Sequence, residues 1–226
     1  MPPSCPDDER LPPFDLPVSV EIGGVTVRIR FVTPDDRERI LAGLREISPE
    51  TSYHRFFTPR FVPNASQLRY LTEVDGDRHV AIAAVEASPD EPGIGVARYV
   101  RLKESLDDPS LGDSAGDLAV AEAAALVIDR YQGLGIGSLL LAAMNRHAYE
   151  NGVRAFRCYV MEENQDVIEF LRDIGTVREI IQDGVAELDL PVYRSISDVP
   201  ASPHFNRLRT SWSLLHQALT EKDATA

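Results

Sequence analysis

The residues with the most chemical meaning stand in one run. In Val127-Ile-Asp-Arg-Tyr-Gln-Gly-Leu-Gly-Ile-Gly-Ser138 an apolar, strand-like stretch passes through glycines directly into a helical pattern. Such a junction points several unpaired N–H groups at one spot, where the helix dipole also favours negative charge. Gly133, Gly135 and Gly137 lack Cβ, so a phosphate can approach the main chain closely and positive φ angles carry little penalty. The run reads as an anion cradle. A nucleotide P-loop would need Gly-Lys followed by Ser or Thr, and no lysine occurs here. A dinucleotide fingerprint wants its third glycine three positions after the second, whereas Gly135 is followed by Gly137 and then Ser138. The plain alternative is a tight strand-to-helix turn that holds no ligand.

The elements around this run must position it. Val18 to Val32 alternates apolar and polar residues on both sides of Gly23-Gly24, which predicts two strands joined by a tight turn. Thr33-Pro34-Asp35-Asp36 is a helix start running to about Ile47, Ser48-Pro49-Glu50-Thr51 repeats the signal, and Asn64 opens another short helix. His79 to Glu86 and Ile94 to Leu102 read as strands around a hairpin loop, and Lys103 to Gly116 as an inserted surface loop. Leu118 to Asp129 is a strand by context, although its alanines would also suit a helix. A helix over Gly135–Glu150 ending at Asn151-Gly152, a strand over Ala155–Met161, a helix over Asn164–Asp173 and a closing hairpin over Val177–Leu190 follow. His204 to Leu219 could form an amphipathic helix in which Trp212 and Leu215 either cap the domain or form the seam of a homodimer.

Composition narrows the function classes. The chain has 226 residues, and 23 Lys+Arg against 36 Asp+Glu give a net charge of −13. That balance argues against a nucleic-acid partner and would steer a cationic one inward. No stretch approaches the roughly 20 apolar residues of a spanning helix. The N-terminus has acids and prolines where a signal peptide needs a basic start and an apolar run, so a cytoplasmic protein is expected. Cys5 and Cys158 make no metal or redox spacing, and the five histidines are scattered, so no metal is expected. The expected organisation is a flexible arm over 1–16, one domain over 17–191 and a helical extension over 192–226.

With these residues in place the chain resembles the GNAT superfamily of acetyl-coenzyme A-dependent N-acetyltransferases. The signature is Gln or Arg, two residues, Gly, one residue, then Gly or Ala, which Gln132-Gly133-Leu134-Gly135-Ile136-Gly137 satisfies. The order of elements from Arg28 to about Leu190 follows that family. Ile47 to Phe57, the run near His79, and Ala121-Glu122 ten residues before Gln132 look like the GNAT domain of bacterial protein-lysine acetyltransferases. The resemblance implies an α/β (α+β) fold with a mixed, mostly antiparallel central sheet flanked by helices. It implies a direct transfer, in a ternary complex, of acetyl from acetyl-CoA to a primary amine, on a small molecule or a protein lysine.

The same resemblance assigns roles. The backbone of Leu126, Val127 and Ile128 would pair with the pantetheine arm, the amides from Gln132 to Ser138 would hold the pyrophosphate, and Asn164 would contact the coenzyme near its pantetheine end. Glu122 matches the carboxylate used as general base, against a plainer reading as a solvated strand residue. A base is needed because a lysine amine has a pKa near 10.4, so deprotonating it at pH 7 costs on the order of 4 to 5 kcal/mol. Leu171 stands where many members place a tyrosine that protonates the leaving thiolate, and Gly175-Thr176 replaces the family's Gly-Phe; water or Tyr131 could stand in as the acid. Tyr53, His54, Arg55, Phe56 and Phe57 lie where the family lines its substrate cleft, although such a cluster also suits a core. A non-catalytic acyl-CoA sensor and a dinucleotide-binding module are the competing classes.

Overall fold

A computed structural model describes residues 11–105, 119–202 and 205–225. Cys5, His204 and most of the expected 103–116 loop lie outside the described residues. Val18–Ile22 (β1) and Val25–Phe31 (β2) form the first hairpin, with φ of 59° at Gly23 and 79° at Gly24, the double positive turn that suits strand twist. Thr33 N donates to Asp36 Oδ2 at 2.9 Å, and a short 3-10 turn leads into Arg37–Glu46 (α1). Asp36 is buried and grips Arg30 through both oxygens, at 2.8 and 2.6 Å, which ties α1 to β2. Ser48 Oγ accepts from Thr51 N to cap Pro49–Phe56 (α2), and Asn64 with Gln67 caps Ala65–Thr72 (α3).

His79–Glu86 (β3), Gly93–Ser105 (β4) and Ala119–Val127 (β5) extend the sheet. Ile136–Glu150 (α4) carries the chain to Val153–Met161 (β6); Gln165–Asp173 (α5), Arg178–Gln182 (β7), Val185–Pro191 (β8) and Phe205–Asp223 (α6) follow. The sheet order is β1-β2-β3-β4-β5-β6-β8-β7. Neighbours are antiparallel except β5 and β6, whose crossover is α4. Where propensity left 118–129 open between strand and helix, the backbone is a strand. Ala121 and Ala123 face α4, and their small side chains let Leu139, Leu140 and Ala143 pack onto the sheet. The closing hairpin joins by its second strand. β8 buries Ala186, Leu188 and Leu190 beside β6, while β7 leaves Ile180 and Ile181 exposed at the edge.

One end of the chain departs from expectation, and the other follows one of the two readings left open. From Leu11 the proposed flexible arm is docked: the Phe14 ring meets Phe31 and His147 edge-on, Arg146 Nη2 donates to the Pro12 carbonyl at 2.6 Å, and Asp15 pairs with Lys222 at 2.6 Å. In the extension, Trp212, Leu215 and Leu219 are buried in the cluster that holds Val18, Val20 and the apolar face of α4. Those side chains cap the domain from within the chain, so they offer no dimer seam. No helix among the described residues is long and apolar enough to cross a membrane.

Candidate active site

The cradle begins where β5 ends. Gly135 takes φ of 89° as the residue before α4, and Leu139 N to Gly135 O, at 3.0 Å, leads into the intrahelical ladder. The amides of Ile136, Gly137 and Ser138 therefore lack acceptors in the helix. Gly133, at φ of 75°, has open space where its Cβ would lie. The turn is braced from behind by distant segments. A Cβ built on Gly135 would stand 3.1 Å from Ile22 Cδ1, and Ser211 Oγ of α6 donates to the Gly135 carbonyl at 3.4 Å. Gln132 Nε2 donates to the Val127 carbonyl at 3.0 Å, which folds the turn back onto its own strand. Asp129 accepts from Ser48 N and Thr51 Oγ1, both at 3.0 Å. Burial would raise its pKa, but these hydrogen bonds outweigh it and hold the carboxyl below its usual range, stitching the start of α2 to the cradle.

Beside the cradle the sheet splits. The β5–β6 register runs from Ala119–Val153 to Glu122–Arg157 and ends there. β5 stays paired with β4 as far as Val127–Gly95, and β6 with β8 as far as Met161–Val185. The two strands thus part beyond Glu122, and Ala125 lies exposed in the gap. The main chain of Ile128 is committed: its amide donates to Ile94 and its carbonyl accepts from Tyr131. Strand alternation turns Leu126 the same way, and a Cβ on Gly95 would come within 2.7 Å of the Leu126 carbonyl. Of the three residues expected to pair with a pantetheine arm, Val127 is the one that presents its main chain to the gap. Asn164 stands half-buried just before α5, and among the described residues its side chain makes no hydrogen bond.

Glu122 is exposed at the point of divergence. Its partner in register, Arg157, is drawn away to Asp189, with Nε to Oδ1 at 2.8 Å and Nη2 to Oδ2 at 3.1 Å. The charge of Glu122 is felt instead by Arg55 of α2 and by Tyr159 and Cys158 of β6. Burial pushes the Cys158 thiol up to about 12, so it stays protonated. Across the mouth, His54 Nε2 of α2 stands 3.9 Å from Glu163 Oε1 before α5. Leu171 is buried among apolar residues of α5, β8 and α6. Tyr131 donates its hydroxyl to Glu86, so the stand-in acid suggested by sequence is engaged elsewhere.

The sequence reading passed over the braces of the cradle, Ile22, Gly23 and Ser211, which come from the first hairpin and the last helix. Only the Gly-Gly turn was a visible signal. It also passed over Arg98, a charged residue flanked by apolar ones within β4.

A mostly antiparallel sheet that splits at a parallel pair, with a glycine-lined helix N-terminus at the mouth of the split, defines the acetyltransferase class of α/β fold. Residues 44–176 match the acetyltransferase (GNAT) family. The chain belongs to that family, whose reaction is acetyl-CoA-dependent acetyl transfer. It is 34% identical over 198 residues to Acetyltransferase Pat of Mycolicibacterium smegmatis, covering 86% of this chain and 54% of that protein. It is 27% identical over 132 residues to an acetyltransferase of Pseudomonas aeruginosa, covering 58% and 64%. The match therefore spans little more than half the length of the first of these relatives and under two thirds of the second. Among solved structures, the GNAT domain of S. lividans PAT superposes with a TM-score of 0.64 at 30% identity, covering 77% of this chain and 96% of that domain.

Proposed function

We propose that the protein transfers an acetyl group from acetyl-CoA to a primary amine, carried by a small molecule or by a protein lysine. The observation that carries this reading is the end of β5–β6 pairing at Glu122 beside a cradle of free amides. The residues fit the cosubstrate. The amides of Ile136, Gly137 and Ser138, with the open approach at Gly133, suit a pyrophosphate. Val127 offers its backbone amide, its carbonyl being held by Gln132, and Asn164 an uncommitted side-chain amide, along the gap. Bound there, acetyl-CoA would supply the thioester.

The chain's own part is proton and position. An ammonium must lose a proton before its nitrogen can attack, and Glu122, exposed at the divergence and free of an ion pair with Arg157, is placed to accept it, directly or through a water. The new C–N bond then replaces the C–S bond; the proton lost before attack rests on the Glu122 carboxylate, and the second proton, which nitrogen loses as the amide forms, passes through solvent to the departing sulfur, which leaves as the free thiol. A thiol pKa of about 8.5 lets the sulfur leave without a strong acid, which is consistent with Leu171 in the usual tyrosine position.

Glu122→Gln tests the assignment. Thiol release from acetyl-CoA in the presence of an amine should fall by about 10²-fold or more, the lower bound for losing a general base. Acetyl-CoA affinity by calorimetry should stay unchanged. Undiminished release would remove Glu122 from the reaction, and no binding of acetyl-CoA by the native protein would remove the whole reading.

A further inference from the structure

On the face of the sheet opposite α4, a cavity that opens to solvent lies between α1, α2 and α3 and strands β3 to β5. Its walls are mostly apolar, with Ile40, Leu44, Phe56, Val96 and Leu126 among them, and it also receives three arginines: Arg39, which pairs with Asp36 of the same wall, and Arg55 and Arg98, which do not. Arg98 is 5% exposed. Its partners are neutral: Nη2 donates to the Leu71 carbonyl at 3.1 Å, and Nη1 meets His79 Nε2 at 3.1 Å. Burial, with Arg98 alongside, pushes the His79 pKa down to about 4, so that ring accepts rather than adding a charge.

Arg55 is half-buried and, among the described residues, makes no ion pair or hydrogen bond; Glu122 acts on it only at longer range. Burial lowers the pKa of both guanidinium groups, that of Arg98 to about 10, and Arg55 adds to the shift of Arg98. The carboxylate in the cavity wall, Asp36, is already taken by Arg30 and Arg39. Two cations thus converge on an apolar space, in a chain of net charge −13, with no anion in contact. Burying unpaired charge costs free energy that a bound anion would offset.

We propose that this cavity takes the carboxylate of the acceptor, held by Arg55 and Arg98, so that the preferred acceptor is a small amino carboxylate whose amine turns toward Glu122. This rests on the acetyl-transfer reading above. A guanidinium fork matches a planar carboxylate, and the apolar walls suit a short methylene chain between acid and amine. The acceptor rather than the acyl donor is assigned because strand alternation turns Glu122 to the same face of β5 as Leu126 of the cavity wall, away from Ala121 and Ala123, whereas the cradle opens at the N-terminus of α4, which packs on the other face.

The test is calorimetric titration of the CoA-saturated protein with 4-aminobutanoate and with butylamine, which share an amine and differ in the carboxylate. The acid should bind at least ten-fold more tightly. Arg55→Gln should bring that ratio close to one with CoA affinity unchanged, and Arg55→Lys should restore part of it. Equal affinities, binding of neither amine, or a ratio that survives Arg55→Gln would overturn the proposal. So would a ten-fold preference for succinyl-CoA over acetyl-CoA that Arg55→Gln abolishes, because the anion would then sit on the acyl group. Thiol release is read separately: a protein that discriminates the two amines but releases no thiol keeps the carboxylate site and loses the acetyl-transfer reading.

Discussion

Gly23, at the tip of the first hairpin, touches Leu134 in the cradle so closely that a Cβ built on it would lie 2.6 Å from Leu134 Cβ and 2.9 Å from the Leu134 carbonyl. Its neighbour Gly24 has the same kind of backbone, at φ of 79°, but open space around it. The pair separates strain from contact. Each Gly→Ala change should cost about 1 kcal/mol through the left-handed backbone. Only Gly23→Ala must also displace Leu134, so it alone should weaken acetyl-CoA binding by calorimetry. Equal affinities in the two variants would show that the hairpin does not shape the cradle.

His79 should make the fold acid-sensitive. Its folded pKa is lowered to about 4, first by burial and then by Arg98, with Asp75 opposing, and the Tyr70 ring lies tilted beside it with centroids 4.6 Å apart. An unfolded histidine titrates near 6.5, so between that pH and about 4 the unfolded chain binds the extra proton. Stability should be whole above pH 6.5 and fall as the pH drops toward 4. Urea titrations across this window should show that loss in the native protein and a flatter profile in His79→Gln.

Trp212 is 7% exposed and sits in the main core with Leu215 and Leu219. Trp212→Ala should cost about 3 to 5 kcal/mol, the range for deleting a large buried ring. Thermal unfolding monitored by circular dichroism measures it. A loss below about 1 kcal/mol, the scale of an ordinary surface change, would mean that α6 is not part of the core.

Tyr131 gives its hydroxyl to Glu86, and Arg130 lies over its ring with Cζ 4.7 Å from the centroid. Tyr131→Phe should lower stability by about 1 kcal/mol, as for one hydrogen bond. It should leave amine-dependent thiol release within two-fold of the native rate. A large fall in that rate would return the hydroxyl to the list of acids.

What the sequence made legible was local. The Gly23-Gly24 turn, the caps at Ser48 and Asn64 and the glycines from 133 to 137 each depend on a few neighbouring residues and one backbone conformation, and each appears where expected. Partner choice is not local. Nothing in the alternation of Val177 to Leu190 says that β8 rather than β7 lies against β6, because that order is decided by which strand has the apolar face to bury and by Asp189 meeting Arg157. Nor does the composition of Ala119 to Val127 mark Glu122 as its last residue paired with β6, since the split depends on where β6 turns toward β8. Phe14 was lost among acids and prolines for the same reason: one aromatic ring in a polar segment shows its value only when His147 and Phe31 stand beside it.

The braces of the cradle come from opposite ends of the chain, Ile22 and Gly23 near one and Ser211 near the other. During synthesis, at about 5 to 20 residues per second, the glycine turn leaves the ribosome long before the helix that supports it. Until α6 is released, the parts of α4 and β1 that pack on Trp212, Leu215 and Leu219 stay uncovered. The turn is therefore complete only after residue 211 has left the ribosome, and a transcript cut short before residue 205 would yield a sticky product without the Ser211 brace.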